Sequence, residues 1–271
     1  MARDFKRRYI QLISAIIYNS NIKGFSSGSL YHGNLKGVCV PGLNCYSCPG
    51  ALASCPLGSL QNAITVSSKR LPFYVVGTIL LFGVIFGRVI CGFLCPFGFL
   101  QELIYKIPSP KLKKSRFTQR ISNIKYVVLI TFIIVIPVIL ELPGFCKYIC
   151  PAGTLEGGIP LAIANKQIAD MIGTLFLWKV LVMIVILGTC VFAFRGFCRF
   201  VCPLGAIYSF FNKISILGMN VDEGKCIGCN ACVRACKMDI KKVGDRECID
   251  CGECAQICPQ NAIYRKGVKN R

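Results

Sequence analysis

The sequence predicts an α-helical membrane protein with four transmembrane helices in two tandem halves, followed by a small C-terminal α+β domain. Three observations carry that expectation. The 271-residue chain is 54% hydrophobic and 16% charged, with a mean hydropathy of +0.57, which is too apolar for an ordinary water-soluble domain. Apolar stretches close to the roughly 20 residues that cross a bilayer recur along it. A set of cysteine motifs occurs twice in the first 215 residues, and a denser cysteine run closes the chain.

Leu71 to Ile90, Tyr126 to Leu142 and Leu175 to Phe194 read as spans (71–90, 126–142 and 175–194). Phe5 to Ile22 reads as a fourth (5–22), although Gln11, Asn19 and Asn21 interrupt it. Its rival, a secretory signal, lacks a small-residue cleavage site. The formal charge of +20 is not one patch. It falls into an N-terminal group (Arg3, Lys6, Arg7, Arg8), a central run (Lys106, Lys111, Lys113, Lys114, Arg116, Arg120, Lys125) and the C-terminal region. Each group flanks an apolar segment, as the positive-inside bias requires of cytoplasmic loops. With the basic N-terminus inside, the Lys111–Arg120 loop and the C-terminal domain also fall inside. The connections Lys23–Arg70 and Pro143–Thr174, poorer in basic residues for their length, fall outside. The expected location is the cytoplasmic membrane, multi-pass, in contact with membrane lipid, with both termini cytoplasmic. No stacking or groove-reading motif accompanies the charge, which excludes nucleic acid as the partner.

Nineteen cysteines stand against a single histidine, His32. Their odd number rules out complete disulfide pairing, and their short spacings suit a shared metal cluster better than strained disulfide rings. From Cys226 the chain reads C-I-G-C-N-A-C-V-R-A-C, and from Cys248 C-I-D-C-G-E-C-A-Q-I-C-P. Two copies of C-x-x-C-x-x-C-x-x-x-C form a two-cluster ferredoxin, in which the fourth cysteine of each run serves the other run's cluster. Cys226, Cys229, Cys232 and Cys258 are therefore expected to bind one [4Fe-4S] cluster, and Cys248, Cys251, Cys254 and Cys236 the other, within a domain at 219–265. Soft thiolates suit iron–sulfur cores, and the small Gly228, Ala231 and Gly252 let backbone amides reach the sulfurs. Lys237 replaces the proline that follows the fourth cysteine in the second run as Pro259. A zinc module would use one set of four ligands, whereas two interleaved sets are present.

The membrane part, 1–215, carries C-x-x-x-C-P at Cys91/Cys95, Cys146/Cys150 and Cys198/Cys202, with a variant at Cys45, Cys48 and Cys55. R-V-I-C-G-F-L-C-P-F-G-F-L from Arg88 matches R-G-F-C-R-F-V-C-P-L-G-A-I from Arg195, and C-P-L-G-S-L-Q from Cys55 matches C-P-A-G-T-L-E from Cys150. Each half is thus a span, an outer motif, a second span and an inner motif. The inner motifs offer Cys91, Cys95, Cys198 and Cys202 to a further [4Fe-4S] cluster, because i, i+4 spacing places both thiols on one helical face. The outer motifs offer Cys45, Cys48, Cys55, Cys146 and Cys150, with Cys39 nearby, so six candidates compete for four positions of a second. Structural thiols, exported-side disulfides and transient metal binding remain the alternatives. The prolines turn the chain past the second thiol, and Gly58, Gly98, Gly153 and Gly205 permit close approach. Arg88, Arg195 and Arg199 either stabilise an anionic cluster, pair with a partner's carboxylate or anchor helix ends. Cys190 reads as a packing residue. A membrane haem needs axial ligands that a lone His32 does not supply.

The twin ferredoxin run with C-x-x-x-C-P motifs at span ends resembles the NapH, NosR and CcoG group of membrane polyferredoxins. The N-C-Y-S-C-P-G-A-L stretch from Asn44 is similar to that of clostridial-type four-iron-binding members. The resemblance implies electron transfer between a cytoplasmic low-potential donor such as ferredoxin and a membrane or extracytoplasmic partner. The chain has no large flavin domain like that of NosR, so a flavoprotein partner would be a separate chain. No catalytic residue is assigned, and the chain reads as an electron-transfer component rather than a stand-alone enzyme. Two other functions stay open: a quinol dehydrogenase subunit, and a copper reductase or cofactor-assembly factor. A hydrocarbon core of about 30 Å is too wide for one fast hop, so the motif sites must dip into it.

Overall fold

The computed structural model describes residues 2–66, 72–112 and 114–267. Leu71, where one span was expected to begin, lies outside them, as do Arg70 and Lys113. The described residues are mainly helical, with one antiparallel pair of strands, Gly218–Val221 and Ile263–Lys266, in the register Gly218↔Lys266 to Val221↔Ile263.

Among the described residues, two helices are long and apolar enough to cross a bilayer, Phe117–Leu140 and Thr174–Phe192. Phe73–Phe86 is as apolar but has only 14 residues, about 21 Å at 1.5 Å per residue. It stops short of the expected Ile90 because Gly87 takes φ 51° and closes the helix with its N–H on the Gly83 carbonyl at 2.8 Å. The third apolar helix starts earlier than expected. Ser115 and Thr118 form a capping box ahead of it, and it then runs through a π-helical turn at Leu129–Val135.

The N-terminal helix Ala2–Tyr18 buries Arg7, Gln11 and Ser14 and exposes Ile10, Ile13 and Ile17. That is the reverse of a water-soluble amphipathic helix. Gln11 reaches inward to donate to the Gly92 carbonyl at 3.0 Å. The two long helices likewise present Ile130, Ile134, Val138, Leu177, Leu181 and Ile184 outward.

The core gathers where the halves meet. Pro96–Ile104 and Pro203–Phe211 are equivalent helices of the two halves, and Phe97 meets Phe197 edge-on with centroids 5.1 Å apart. The cysteine-rich C-terminal segment is bound to this core by buried charge. Glu247 pairs with both Arg88, at 3.0 Å, and Lys125; Asp239 pairs with Arg199. Asn212 donates to the carbonyls of Asp245 and Cys248 at 2.7 and 3.0 Å. Burial alone would raise Glu247, but Arg88 and Lys125 hold it below the usual carboxylate range.

Candidate iron–sulfur centres

The C-P-x-G sequence builds its local structure directly. Proline takes the first helical position, where its missing N–H costs nothing, so it opens a helix rather than ending one. The cysteine before it becomes the N-cap. Its sulfur accepts the N–H of the glycine three residues on: Gly98 to Cys95 at 3.4 Å, Gly205 to Cys202 at 3.3 Å and Gly153 to Cys150 at 3.3 Å. Room for a side chain is tight at Gly98 and Gly205 but ordinary at Gly153. A Cβ on Gly98 would lie 3.1 Å from the Cys91 carbonyl and 3.2 Å from Arg195 Nη1. The first cysteine of each inner motif sits on a separate short helix, Val89–Phe93 or Gly196–Phe200. The two thiols of C-x-x-x-C thus converge across a break between helices, and the expectation of one shared helical face is corrected.

Cys91, Cys95, Cys198 and Cys202 converge at the inner site, each buried and close enough to the others to interact electrostatically. Arg88 and Arg195 cross over. Arg88, from the first half, lies beside Cys91 of its own half and also reaches Cys198 and the Gly205 region, while Arg195, from the second, donates to the Cys91 carbonyl. Both are 0% exposed. Arg195 adopts a left-handed φ of 52°, rare for a non-glycine residue, and is held by Glu102 at 2.8 and 2.5 Å. All three arginines pair with carboxylates of this chain: Arg88 with Glu247, Arg195 with Glu102, Arg199 with Asp239. None is left over at the surface as a helix anchor.

At the outer site, Cys45, Cys55, Cys146 and Cys150 line one cavity of about 340 Å³. Of the six candidates, these four share the cavity. Cys48 lies beside the site but does not line the cavity, its sulfur facing the Gly50 and Ala51 amides, and Cys39 interacts with Ser59 instead. The π-helical turn Gly153–Gly158 brings Glu156 against the site, where its carboxylate accepts the Cys45 N–H at 2.8 Å.

The two ferredoxin sets separate as their spacing requires. Cys226, Cys229, Cys232 and Cys258 line one cavity of about 630 Å³; Cys236, Cys248, Cys251 and Cys254 line another. The two runs repeat even in their backbone, with left-handed residues at Gly228 and Asp250 and again at Asn230 and Gly252. Cys226 and Cys229 are exposed, whereas Cys248 and Cys254 are buried toward the rest of the chain. Burial raises Asp250 to about 6, although its carboxylate accepts the Met219 N–H at 2.8 Å. Lys237, in the place of the usual proline, pairs with Glu253 at 3.1 Å.

Short contacts link the sets in sequence. A Cβ on Gly92, next to Cys91, would lie 2.4 Å from the carbonyl of Ile249, next to Cys248. A Cβ on Gly42 would lie 3.0 Å from Cys95 Cα. The following residues, Leu43, Asn44 and Cys45, line the outer cavity, so a few residues of chain carry the inner site into the outer one. Tyr208, 0% exposed, sits between them beside Cys91, Cys95 and Cys55 and donates to the Pro41 carbonyl at 2.9 Å.

These residues fit four-iron clusters. Each set supplies four soft thiol donors, the number that one such cluster takes, and three of the four sets line a cavity. Buried donors beside the sulfurs await an acceptor: Arg88 Nη2 at the inner site and Asn44 Nδ2 at the outer have no partner among the described residues. Sequence reasoning missed Gln61, Gln101, Glu156 and Tyr208, each six residues after the cysteine of a C-P step. The repeat carried the signal, since the matched outer strings end on Gln61 and Glu156.

A family model described as a 4Fe-4S binding domain matches residues 71–115, 125–159 and 175–219. A second of the same description matches 219–242 and 243–264. The uncharacterized protein MJ0749 of Methanocaldococcus jannaschii is 34% identical over 199 residues, covering 70% of this chain and 68% of that one. The methylamine utilization ferredoxin-type protein MauN of Methylobacillus flagellatus is 23% identical over 170 residues, covering 60% and 53%. The regulatory protein NosR of Pseudomonas aeruginosa is 26% identical over 162 residues, covering 57% of this chain but 21% of its own length. No solved structure matches the chain significantly. The paired cysteine motifs, their tandem repetition and these relationships together place the chain in the NosR/NapH-type polyferredoxin family of 4Fe-4S-binding proteins.

Proposed function

We propose that this iron–sulfur protein relays electrons through a membrane, between a cytoplasmic low-potential donor such as ferredoxin and a membrane or extracytoplasmic redox partner, which can be a separate flavoprotein. In this reading residues 1–215 cross the membrane four times with both termini cytoplasmic, and residues 219–265 form the cytoplasmic domain. Four [4Fe-4S] clusters occupy the four cysteine sets. Each, when bound, stores and releases one electron with little movement of its ligands.

The observation that carries the reading is the placement of the sets end to end. The exposed Cys226 and Cys229 face a donor, Gly92 meets Ile249 between the second ferredoxin set and the inner set, and Gly42 packs on Cys95 between the inner and outer sets. In this reading the clusters divide a barrier of about 30 Å into shorter intervals. The apolar exterior and polar interior of the Ala2–Tyr18 helix favour lipid around it. The residues do the remaining work. Buried Phe97, Phe145 and Phe197 exclude water from the inner set, Arg88 and Arg195 supply positive charge to sulfurs that carry negative charge, and the N-cap amides of Gly98, Gly153 and Gly205 hold the second cysteine of each motif.

The test uses the loaded protein in sealed vesicles, with a reduced low-potential carrier on the ferredoxin-domain side and an impermeant oxidised dye trapped on the other. Dye reduction that disappears in both Cys198→Ala and Cys146→Ala is the expected result. Loaded vesicles that leave the dye oxidised would remove the relay.

A further inference from the structure

We propose that Gln61 and Gln101 set the reduction potentials of the outer and inner membrane-domain centres, one glutamine per centre, by donating an amide N–H to a ligand sulfur. This inference rests on the reading of both cysteine sets as four-iron sites.

The two glutamines occupy the same place in the repeat, six residues after Cys55 and Cys95. Each is 0% exposed, so no water competes for its amide. Each crosses from the first half to the first cysteine of the facing motif: Gln61 Nε2 lies 3.2 Å from Cys146 Sγ, and Gln101 Nε2 lies 3.1 Å from Cys198 Sγ. The amide orientation is fixed from the oxygen side. Gln61 Oε1 accepts the Phe145 N–H at 2.9 Å. Gln101 Oε1 accepts the Cys198 N–H at 3.3 Å and faces the Cys190 thiol at 3.5 Å. With the oxygens engaged by donors, the NH₂ groups must face the sulfurs, and Cys190 gains a part in holding one of them.

The second-half motifs place Glu156 and Tyr208 at this position instead. Neither donates to a ligand sulfur. Glu156 accepts from the Cys45 N–H and Tyr208 donates to the Pro41 carbonyl, so both grip the connecting segment. Each site therefore has one glutamine donor, from the first half. An N–H directed at a thiolate strengthens as the sulfur becomes more negative, so it favours the reduced state and raises the potential.

The experiment is a redox titration of the loaded protein followed by EPR, with iron and sulfide measured on every sample. Glutamate keeps the acceptor and the shape while removing the donor and adding negative charge. Gln101→Glu is expected to move one membrane-domain signal to more negative potential, Gln61→Glu the other, and neither is expected to move the ferredoxin-domain signals. Gln101→Met and Gln61→Met, neutral and of similar length, should give smaller shifts of the same sign. Should a variant lose its cluster, the wild-type protein labelled with nitrogen-15 in glutamine side chains decides: hyperfine coupling from that nitrogen is expected on both membrane-domain signals. Full iron content with unmoved potentials, or no glutamine coupling, would assign these residues a purely structural role and overturn the proposal while leaving the sites intact. Absence of membrane-domain iron from the wild-type protein would overturn both the proposal and the reading beneath it.

Discussion

The inner and outer cysteine sets of residues 1–215 each take two cysteines from either half, yet they sit in different electrostatic surroundings. Arg88 and Arg195, both fully buried, flank Cys91 and Cys198, while Glu156 packs against Cys45. The C-P-x-G step fixes where each second sulfur goes; residues outside it decide what charge that sulfur meets. One duplicated unit has thus yielded two sites with different charge around them: each inner arginine is paired with a carboxylate, while Lys147 and Lys179 line the outer cavity that Glu156 adjoins.

The largest way to break the comparison is to remove one ligand at a time. Cys198→Ala should abolish the inner EPR signal and keep the outer, and Cys146→Ala should do the reverse; loss of both signals in either variant would mean that the sites are not separable. Next comes the buried charge beside the inner set. Glu247→Gln leaves Arg88 and Lys125 without their shared counter-charge, at a cost of about 3–5 kcal/mol, to be seen as a lower thermal midpoint and faster proteolytic release of the ferredoxin domain.

Gly98→Ala sharpens the comparison at smaller scale. The new methyl group meets the Cys91 carbonyl and Arg195, which should cost about 1–3 kcal/mol, measured by unfolding in detergent. Gly188→Ala, with nothing within 4 Å of its Cβ, is the control and should not destabilise. The smallest effect belongs to Lys237→Pro. It removes a half-exposed ion pair with Glu253, 45% and 26% exposed, and should change stability by under about 1 kcal/mol.

The legibility of these sites in the sequence follows the range of the interactions that build them. The grouping of the ferredoxin cysteines could be read from spacing, because three members of each set lie within seven residues and only the fourth comes from the other run. The inner quartet was legible through the repeat. The outer set stayed open among six cysteines, since Cys39, Cys45, Cys48 and Cys55 crowd one stretch of chain, and only the fold shows that Cys45 and Cys55 share a cavity with Cys146 and Cys150. Helix ends shifted where Gly87 and Ser115 intervene. The crossed arginines and the two glutamines join opposite halves, and no local pattern states which residue of one half faces which of the other. Their place in the repeat was visible even so: the arginines open the matched inner strings, Gln61 closes an outer one, and Gln101 follows directly after Leu100 at the end of an inner one.

The claim that joins all of this is that the membrane part holds iron as the ferredoxin domain does. Iron and acid-labile sulfide per chain, measured on anaerobically purified protein, test it most directly. Four clusters require about 16 of each per chain. A value near 8, unchanged by Cys146→Ala and Cys198→Ala, would leave the ferredoxin domain loaded and the membrane part empty, and would contradict the account.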